Sequence, residues 1–429
     1  MSIRYKKSEL QLERALKTIP LASQTFSKSI TQYPLGVSPL FLANGNGDRV
    51  VDLDGNDYID FVSALASITL GYCDSDIDKA VIAQLKNGVS FSLPHCLESE
   101  VAEKIVKLVP CAEKVRFAKN GSDATSGAIR IARAYTGREH VAVCGYHGWQ
   151  DWYIGTTSRD LGVPKATQAL THKFTYNDIS SLEKLFATNE GQIAAVIMEP
   201  MNVEFPCEDF LQKVKFLAHK YGAVLIFDET ITGFRYSIGG AQEYFRVTPD
   251  LATFGKGLAN GYPLSAVVGK TEIMQQMEEV FFSGTFGGET LSLAAANAVL
   301  DKLQTHNVIE NITVKGEWLL CQLNDLIERL ELESLFSTAG HPSWSFLLIS
   351  EGKSADSFKL KTLFMQEMFS RGILTLGSHN LSFSHSQESL ESLLKAYEEV
   401  LPKIFAADRD NTVDSLLKCQ PLVPLFQVR

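Results

Sequence analysis

Three short runs, Ile193–Met198, Ala223–Phe227 and Leu251–Phe254, carry almost no polar side chains. They are too short for helices. A strand that does not alternate apolar with polar residues is buried on both faces, and this confines the chain to a mainly parallel sheet covered by helices. The intervening segments agree. Leu97–Val109 has helical spacing and stops at Pro110, Asp123–Tyr135 reads as a helix closed by Gly137, and Leu211–Tyr221 as a helix capped by Gly222. Val115–Ala118 and Val141–Cys144 add strands, so an α/β region begins near residue 97. Ahead of it, Arg49–Phe61 alternates around the turn pair Asp54-Gly55 and predicts a β-hairpin. Residues 1–40, with Pro34 and Pro39, read as an arm. Ala294–Leu303 begins a helix expected to leave the α/β lobe. Beyond about residue 310, two amphipathic helices flank Ser345–Ile349 in a small α+β lobe, and the apolar segment Gln420–Arg429 is expected to dock. The expected division is 1–70, arm and hairpin belonging to the small lobe; 71–305, the large α/β domain; and 306–429, the small α+β domain and tail.

Charge and cysteine usage exclude several functions. A net charge of −10 argues against nucleic acid or an anionic membrane as partner. The seven cysteines are dispersed with no C-x-x-C pair, which reads as reduced thiols and gives neither a disulfide framework nor a metal site. The first twenty residues are interrupted by charge and lack a signal peptide's apolar core, and no run is long enough to span a membrane. The expected location is the cytoplasm.

Chemistry begins at Asp228-Glu229, two carboxylates at the end of a buried strand, where open α/β sheets bind ligands. An ATPase would also place acids there, but it needs a glycine-rich phosphate loop. Leu264 breaks that pattern before Gly269-Lys270-Thr271, as Asp250 and Gly257 do around Gly255-Lys256. Lys256 itself follows the strand Leu251–Phe254, between two glycines. Gly121-Ser122 starts a helix after the strand at Val115, and such a turn aims free N–H groups at an anion. Tyr146, with His147 beside it, ends another strand and offers an aromatic face. Each piece alone has a bland reading: a surface lysine, an ordinary helix cap, a packed aromatic. Together, Ser122, Tyr146, Asp228 and Lys256 meet the needs of one cofactor, pyridoxal 5'-phosphate (PLP): a phosphate cup, a stacking partner, a carboxylate for the ring nitrogen and an amine for the aldehyde.

With these residues in view, the chain resembles the class III (fold type I) PLP-dependent aminotransferases, nearest to the glutamate-1-semialdehyde 2,1-aminomutase-like branch. The likeness rests on VRFAKNGSDAT at 115–125, GYHG at 145–148, FDETITGFR at 227–235, GGAQEYFRVTPDLATFGKGLANGYPLSAVVG at 239–269 and FFSGTFGGET at 281–290, and extends back to VVDLDGNDYIDF at 50–61. It implies a fold type I PLP-transferase with a large mainly parallel sheet and a smaller α+β domain. The activity implied is transfer of an amino group from a donor such as L-glutamate to a carbonyl acceptor, a sugar or a small aldehyde or ketone. Lys256 would form the Schiff base, and pyridoxamine phosphate would be the intermediate form of the cofactor. The resemblance also implies a homodimer in which Thr285 serves the neighbouring active site, a place for Glu199 in the cofactor pocket, and substrate contacts from Ser67, His95, Asn202, Glu204 and Arg235.

Two departures stand out. Asn120 replaces the usual serine before Gly121, and Phe286 with two glycines follows Thr285 where the aminomutases carry Asn-Pro. The alternative activities on the same residues are a 2,1-aminomutase and, behind it, a decarboxylase, a racemase or a non-catalytic interaction protein.

Overall fold

The computed structural model describes residues 3–424, and these fall into two compact units. One runs from Ser75 to Ile309; the other combines residues 3–74 with residues 310–424. Among the described residues no helix is long and apolar enough to cross a membrane.

The unit Ser75–Ile309 is built on a seven-stranded sheet. Across it the order is Lys114–Ala118, Ser265–Gly269, Leu251–Phe254, Val224–Asp228, Ile193–Met198, His140–Cys144 and Thr171–Lys173. Six strands run parallel; Ser265–Gly269 alone runs against both its neighbours. The apolar runs are central strands, and successive side chains pack to opposite faces. Val224 and Ile226 join Ala124, Ala128 and Ile131 of the helix Gly121–Thr136, whereas Leu225 and Phe227 join Phe210, Val214 and Leu217 of the helix Phe210–Lys220. Each such side chain contributes about 1.5–3 kcal/mol on full burial, so a polar residue at any of these positions would be costly. Two-sided burial makes these strands rigid, and because they are parallel their carboxyl ends emerge on one edge.

One helix departs from expectation. Thr290–Thr305 stays wholly within this unit, and the division falls later, inside the helix Val308–Arg329. Leu293, Ala295, Ala296, Val299 and Leu300 are fully buried, because alanines let the helix lie close against Ser75–Leu85 and Cys96–Leu108.

In the other unit the predicted hairpin is present, Arg49–Asp52 pairing antiparallel with Asp57–Asp60, and Ile373–Leu374 adds in parallel. Asp54 at its turn accepts from the amides of Lys7 and Ser8 at 2.6 and 2.9 Å, capping a helix, Lys6–Ala15, inside what read as an arm. A second sheet pairs Phe336–His341 with Trp344–Ile349 and Ser378–Asn380. The helices Val308–Arg329 and Ser357–Ser370 flank the central strand, and Gln387–Arg409 is a third that was not expected. The predicted docking of 420–429 lies partly outside the described residues; within them, the Leu422 amide donates to Thr362 Oγ1 at 2.9 Å.

Candidate active site

The parallel strands deliver their carboxyl-end residues to one edge of the sheet, and Asp228 is the best determined of them. Only 5% of it is exposed. Oδ1 accepts from Thr230 N, Thr230 Oγ1 and Thr253 Oγ1 at 3.1, 2.5 and 3.1 Å, and Oδ2 lies 2.9 Å from His147 Nδ1. Burial alone would raise its pKa; the His147 and Thr230 hydrogen bonds outweigh burial and hold the carboxyl below its ordinary value. His147 is itself buried, with Nε2 3.1 Å from the Cys144 carbonyl.

Glu229, one residue on, has a different task. It accepts from Thr232 Oγ1 at 2.6 Å, Ala241 N at 2.6 Å, Gln242 N at 2.9 Å and Gln242 Nε2 at 3.2 Å, and burial pushes its carboxyl up. It fastens the chain at 240–242. The strand's alternation sends one carboxylate to the site edge and the other into the scaffold.

Lys256 follows its strand with φ +43°, in the left-handed region, opening a short 3₁₀ turn. A lysine held there costs about 1–2 kcal/mol, so the surroundings impose the geometry. Burial, reinforced by the Arg235 charge, lowers its amine to about 8 against the opposing pull of Glu199 and Asp228. Arg235 is itself fully buried, and burial lowers it to about 10.

The loop 145–149 draws the remaining groups together. Tyr146 N donates to Glu199 Oε2 at 2.9 Å, and the Tyr146 ring stands edge-on to Tyr153, whose hydroxyl donates to the Gly145 carbonyl at 2.8 Å. Burial raises the Glu199 carboxyl, which also accepts from Asn202 Nδ2 at 3.1 Å. Trp149 N donates to Ser122 Oγ at 3.2 Å. Between them Gly148 has φ +102°, and a Cβ there would lie 2.2 Å from Ser122 Oγ, so only glycine passes. Asn120 and Asp123 form a reciprocal cap on the helix Gly121–Thr136, leaving the Gly121 and Ser122 amides without carbonyls four residues back. That is a ready anion cup.

The structure therefore brings together Gly121, Ser122, Tyr146, His147, Glu199, Asn202, Asp228, Arg235 and Lys256. The other candidates have different surroundings. Thr285 is exposed in a loop lining a cavity of about 600 Å³ with Arg116, Lys119 and Asp123. His95 caps the helix Cys96–Leu108, accepting from Leu97 N at 3.2 Å and stacking on Phe91. Glu204 is exposed, and Ser67, in the other unit, donates to the Ala64 carbonyl at 2.8 Å. Thr230 and Thr253 escaped the reading of the sequence. Thr230 stands two residues after an aspartate, a detectable local motif. Thr253 is Asp228's partner across two parallel strands and needs the sheet order to be seen.

Residues 33–340 match the family described as Aminotransferase class-III. The chain is 36% identical over 379 residues to a 3-aminobutyryl-CoA aminotransferase of Cloacimonas acidaminovorans, covering 86% of this chain and 90% of that protein. It is 35% identical over 421 residues to a glutamate-1-semialdehyde 2,1-aminomutase of Chloroherpeton thalassium, covering 91% and 96%. Among solved structures it is similar to the FumI protein of Sphingopyxis sp. MTA144 in its PLP internal aldimine form, with a TM-score of 0.87, 28% identity and coverage of 98% and 99%. An omega-transaminase of Sphaerobacter thermophilus gives 0.85 at 28% identity, covering 94% and 100%.

Proposed function

Because the chain belongs to the class III aminotransferases, we propose that it binds pyridoxal 5'-phosphate at this edge of the sheet and moves an amino group from L-glutamate to a carbonyl acceptor. The observation that carries the reading is that the sheet brings to one edge the Lys256 amine and the Asp228 carboxylate, the latter buried and bonded to His147, Thr230 and Thr253. The residues present fit the cofactor. The free amides of the first helical turn and the glycine passage at Gly148 make a cradle for a phosphate, and no hydrogen bond or ion pair to the Lys256 amine is found among the described residues.

In this reading Gly121 and Ser122 hold the phosphate, and the Trp149 amide leaves the Ser122 hydroxyl hydrogen free to donate outward. Tyr146 lies against the ring, Asp228 keeps a proton on the ring nitrogen, and His147 holds Asp228 in place. When bound, the cofactor supplies an aldehyde for the amine and a ring that draws electrons from the substrate's α-carbon. Lys256 Nζ, its proton affinity lowered by burial, would be suited to hold and move a proton at that carbon. Glu199 and Asn202 line the pocket, and Arg235 offers a cation to a substrate carboxylate. Ser67, His95 and Glu204 are weaker candidates for substrate contact.

The assembly proposed is a homodimer in which Thr285 reaches the phosphate cup of the neighbouring subunit; its exposure on a loop fits service in trans. Seven free cysteines fit a reducing cytoplasm.

A second reading is favoured by the aminomutase relatives: transfer within one molecule, with no separate acceptor. L-glutamate added to the purified protein separates the two. Loss of the visible absorption band with stoichiometric release of 2-oxoglutarate is expected of the aminotransferase. A band that glutamate leaves unchanged speaks against it, and no band even after adding cofactor would refute both.

A further inference from the structure

The loop that presents Thr285 is anchored at both feet. At its far end Glu289 caps the helix Thr290–Thr305 through Leu291 N and Ser292 N at 2.6 and 3.2 Å, and Lys119 Nζ lies 3.1 Å from its carboxylate. At its near end Arg130 Nη1 donates to the Phe281 carbonyl at 3.2 Å and Arg116 Nη2 to the Phe282 carbonyl at 3.1 Å. The span between, Ser283–Phe286, is exposed and turned by a Gly287 N to Gly284 O bond at 2.9 Å.

The Phe282 ring fills an unusual socket. Gly127 sits in the interior of the helix Gly121–Thr136, where glycine is a poor helix former. A Cβ at Gly127 would meet Phe282 Cε2 at 2.9 Å and Cζ at 3.0 Å, and its three nearest atoms all belong to that ring. Two exposed hydrogen bonds are weak tethers by themselves. A ring seated where a side chain would otherwise be fixes the loop's position.

We infer that Gly127, Arg116 and Arg130 form a clamp on Phe281 and Phe282 that positions Thr285 for the neighbouring subunit's phosphate cup. This rests on the proposed dimer with Thr285 acting in trans. The three clamp residues are positioning residues and touch no cofactor atom. Their helix and strand belong to the scaffold of one subunit, so the clamp transmits that subunit's sheet geometry to the other's phosphate.

The test compares the affinity of full-length apoprotein for pyridoxal phosphate and for pyridoxal, which lacks the phosphate. Gly127→Ala is the key variant because alanine improves the helix while displacing only Phe282. It should weaken pyridoxal phosphate on the order of tenfold, the worth of one hydrogen bond to a charged acceptor. Pyridoxal affinity, dimer mass and melting temperature should not fall. Arg116→Ala with Arg130→Ala should shift the same ratio less, and Thr285→Ala should shift it at least as much as Gly127→Ala. If Thr285→Ala lowers the ratio and Gly127→Ala does not, the clamp is wrong and the role of Thr285 stands. If Thr285→Ala leaves the ratio unchanged, the trans reading fails and the clamp with it. Equal loss of both ligands in Gly127→Ala, or a lower melting temperature, would make its role merely structural and overturn the inference.

Discussion

The two units bury ionisable groups to opposite ends. In the sheet unit, Asp228 is buried yet held charged, because three hydroxyl and amide donors and the His147 ring converge on it. In the other unit, His379 and His385 are fully buried with few such partners. His379 lies between Ser345 Oγ at 2.9 Å and the Tyr397 hydroxyl at 2.7 Å, and burial lowers it to about 3. His385, stacked on Phe61 and bonded to Ser382, is lowered to about 4, burial again leading. Burial expels charge unless the partners outweigh it, as they do at Asp228 and do not at Glu229. One unit holds a charge ready for chemistry, and the other uses neutral imidazoles as polar packing.

The sharpest way to break this contrast is Asp228→Asn. The amide keeps the shape and removes the charge that His147 faces, so turnover should fall by about two to three orders of magnitude, the scale of losing one preorganised electrostatic group. Steady-state turnover with L-glutamate measures it, and a fall of less than tenfold would mean that the carboxylate's charge is not being used.

Next in size is the acid response of the histidine-bearing unit. Both histidines take up a proton near 6.5 when unfolded and only near 3 and 4 when folded. Their contribution is complete above about 6.5 and declines as pH falls toward 4, by about 1 kcal/mol per pH unit for each. Urea unfolding followed by tryptophan fluorescence from pH 7.5 to 5 should show this decline, and His379→Gln should remove about half of it. A flat profile would mean that these rings are protonated in the folded protein.

The smallest effect expected is at Arg49 and Asp57, paired across the hairpin with both side chains about half exposed. Arg49→Ala should change stability by less than about 1 kcal/mol, and less again in high salt, because water screens such pairs. A larger loss would extend the contrast to the surface, where it is not expected to apply.

Much of the sheet unit was legible because its rules are local. Apolar runs mark two-sided strands, and Asp228, Lys256, Tyr146 and Ser122 each sit one or two residues past a strand or at a helix start. What could not be read depends on neighbours distant in sequence. The bond from His147 to Asp228 joins a loop residue beyond one strand to the end of another, and Thr253 meets Asp228 only through strand order. The helix-interior Gly127 gives no sign in sequence of the ring that fills its space. In the other unit the helices Lys6–Ala15 and Gln387–Arg409 were missed. The first is capped by Asp54, far along the chain. The second carries Pro402, a residue type that disfavours a helix interior.

The loop 145–149 has a further consequence. Tyr146 is tied to Glu199, His147 to Asp228 and Trp149 to Ser122, in consecutive steps along five residues of backbone. The stretch acts as a ruler: its length sets the spacing between the anion cup and the carboxylate. Tyr146 and Trp149 are tied through their backbone amides, so a change of either side chain leaves its tie in place, but a single inserted or deleted residue shifts all three ties together. Variation in this segment should therefore take the form of substitution, at Trp149 above all, and not of changes in length.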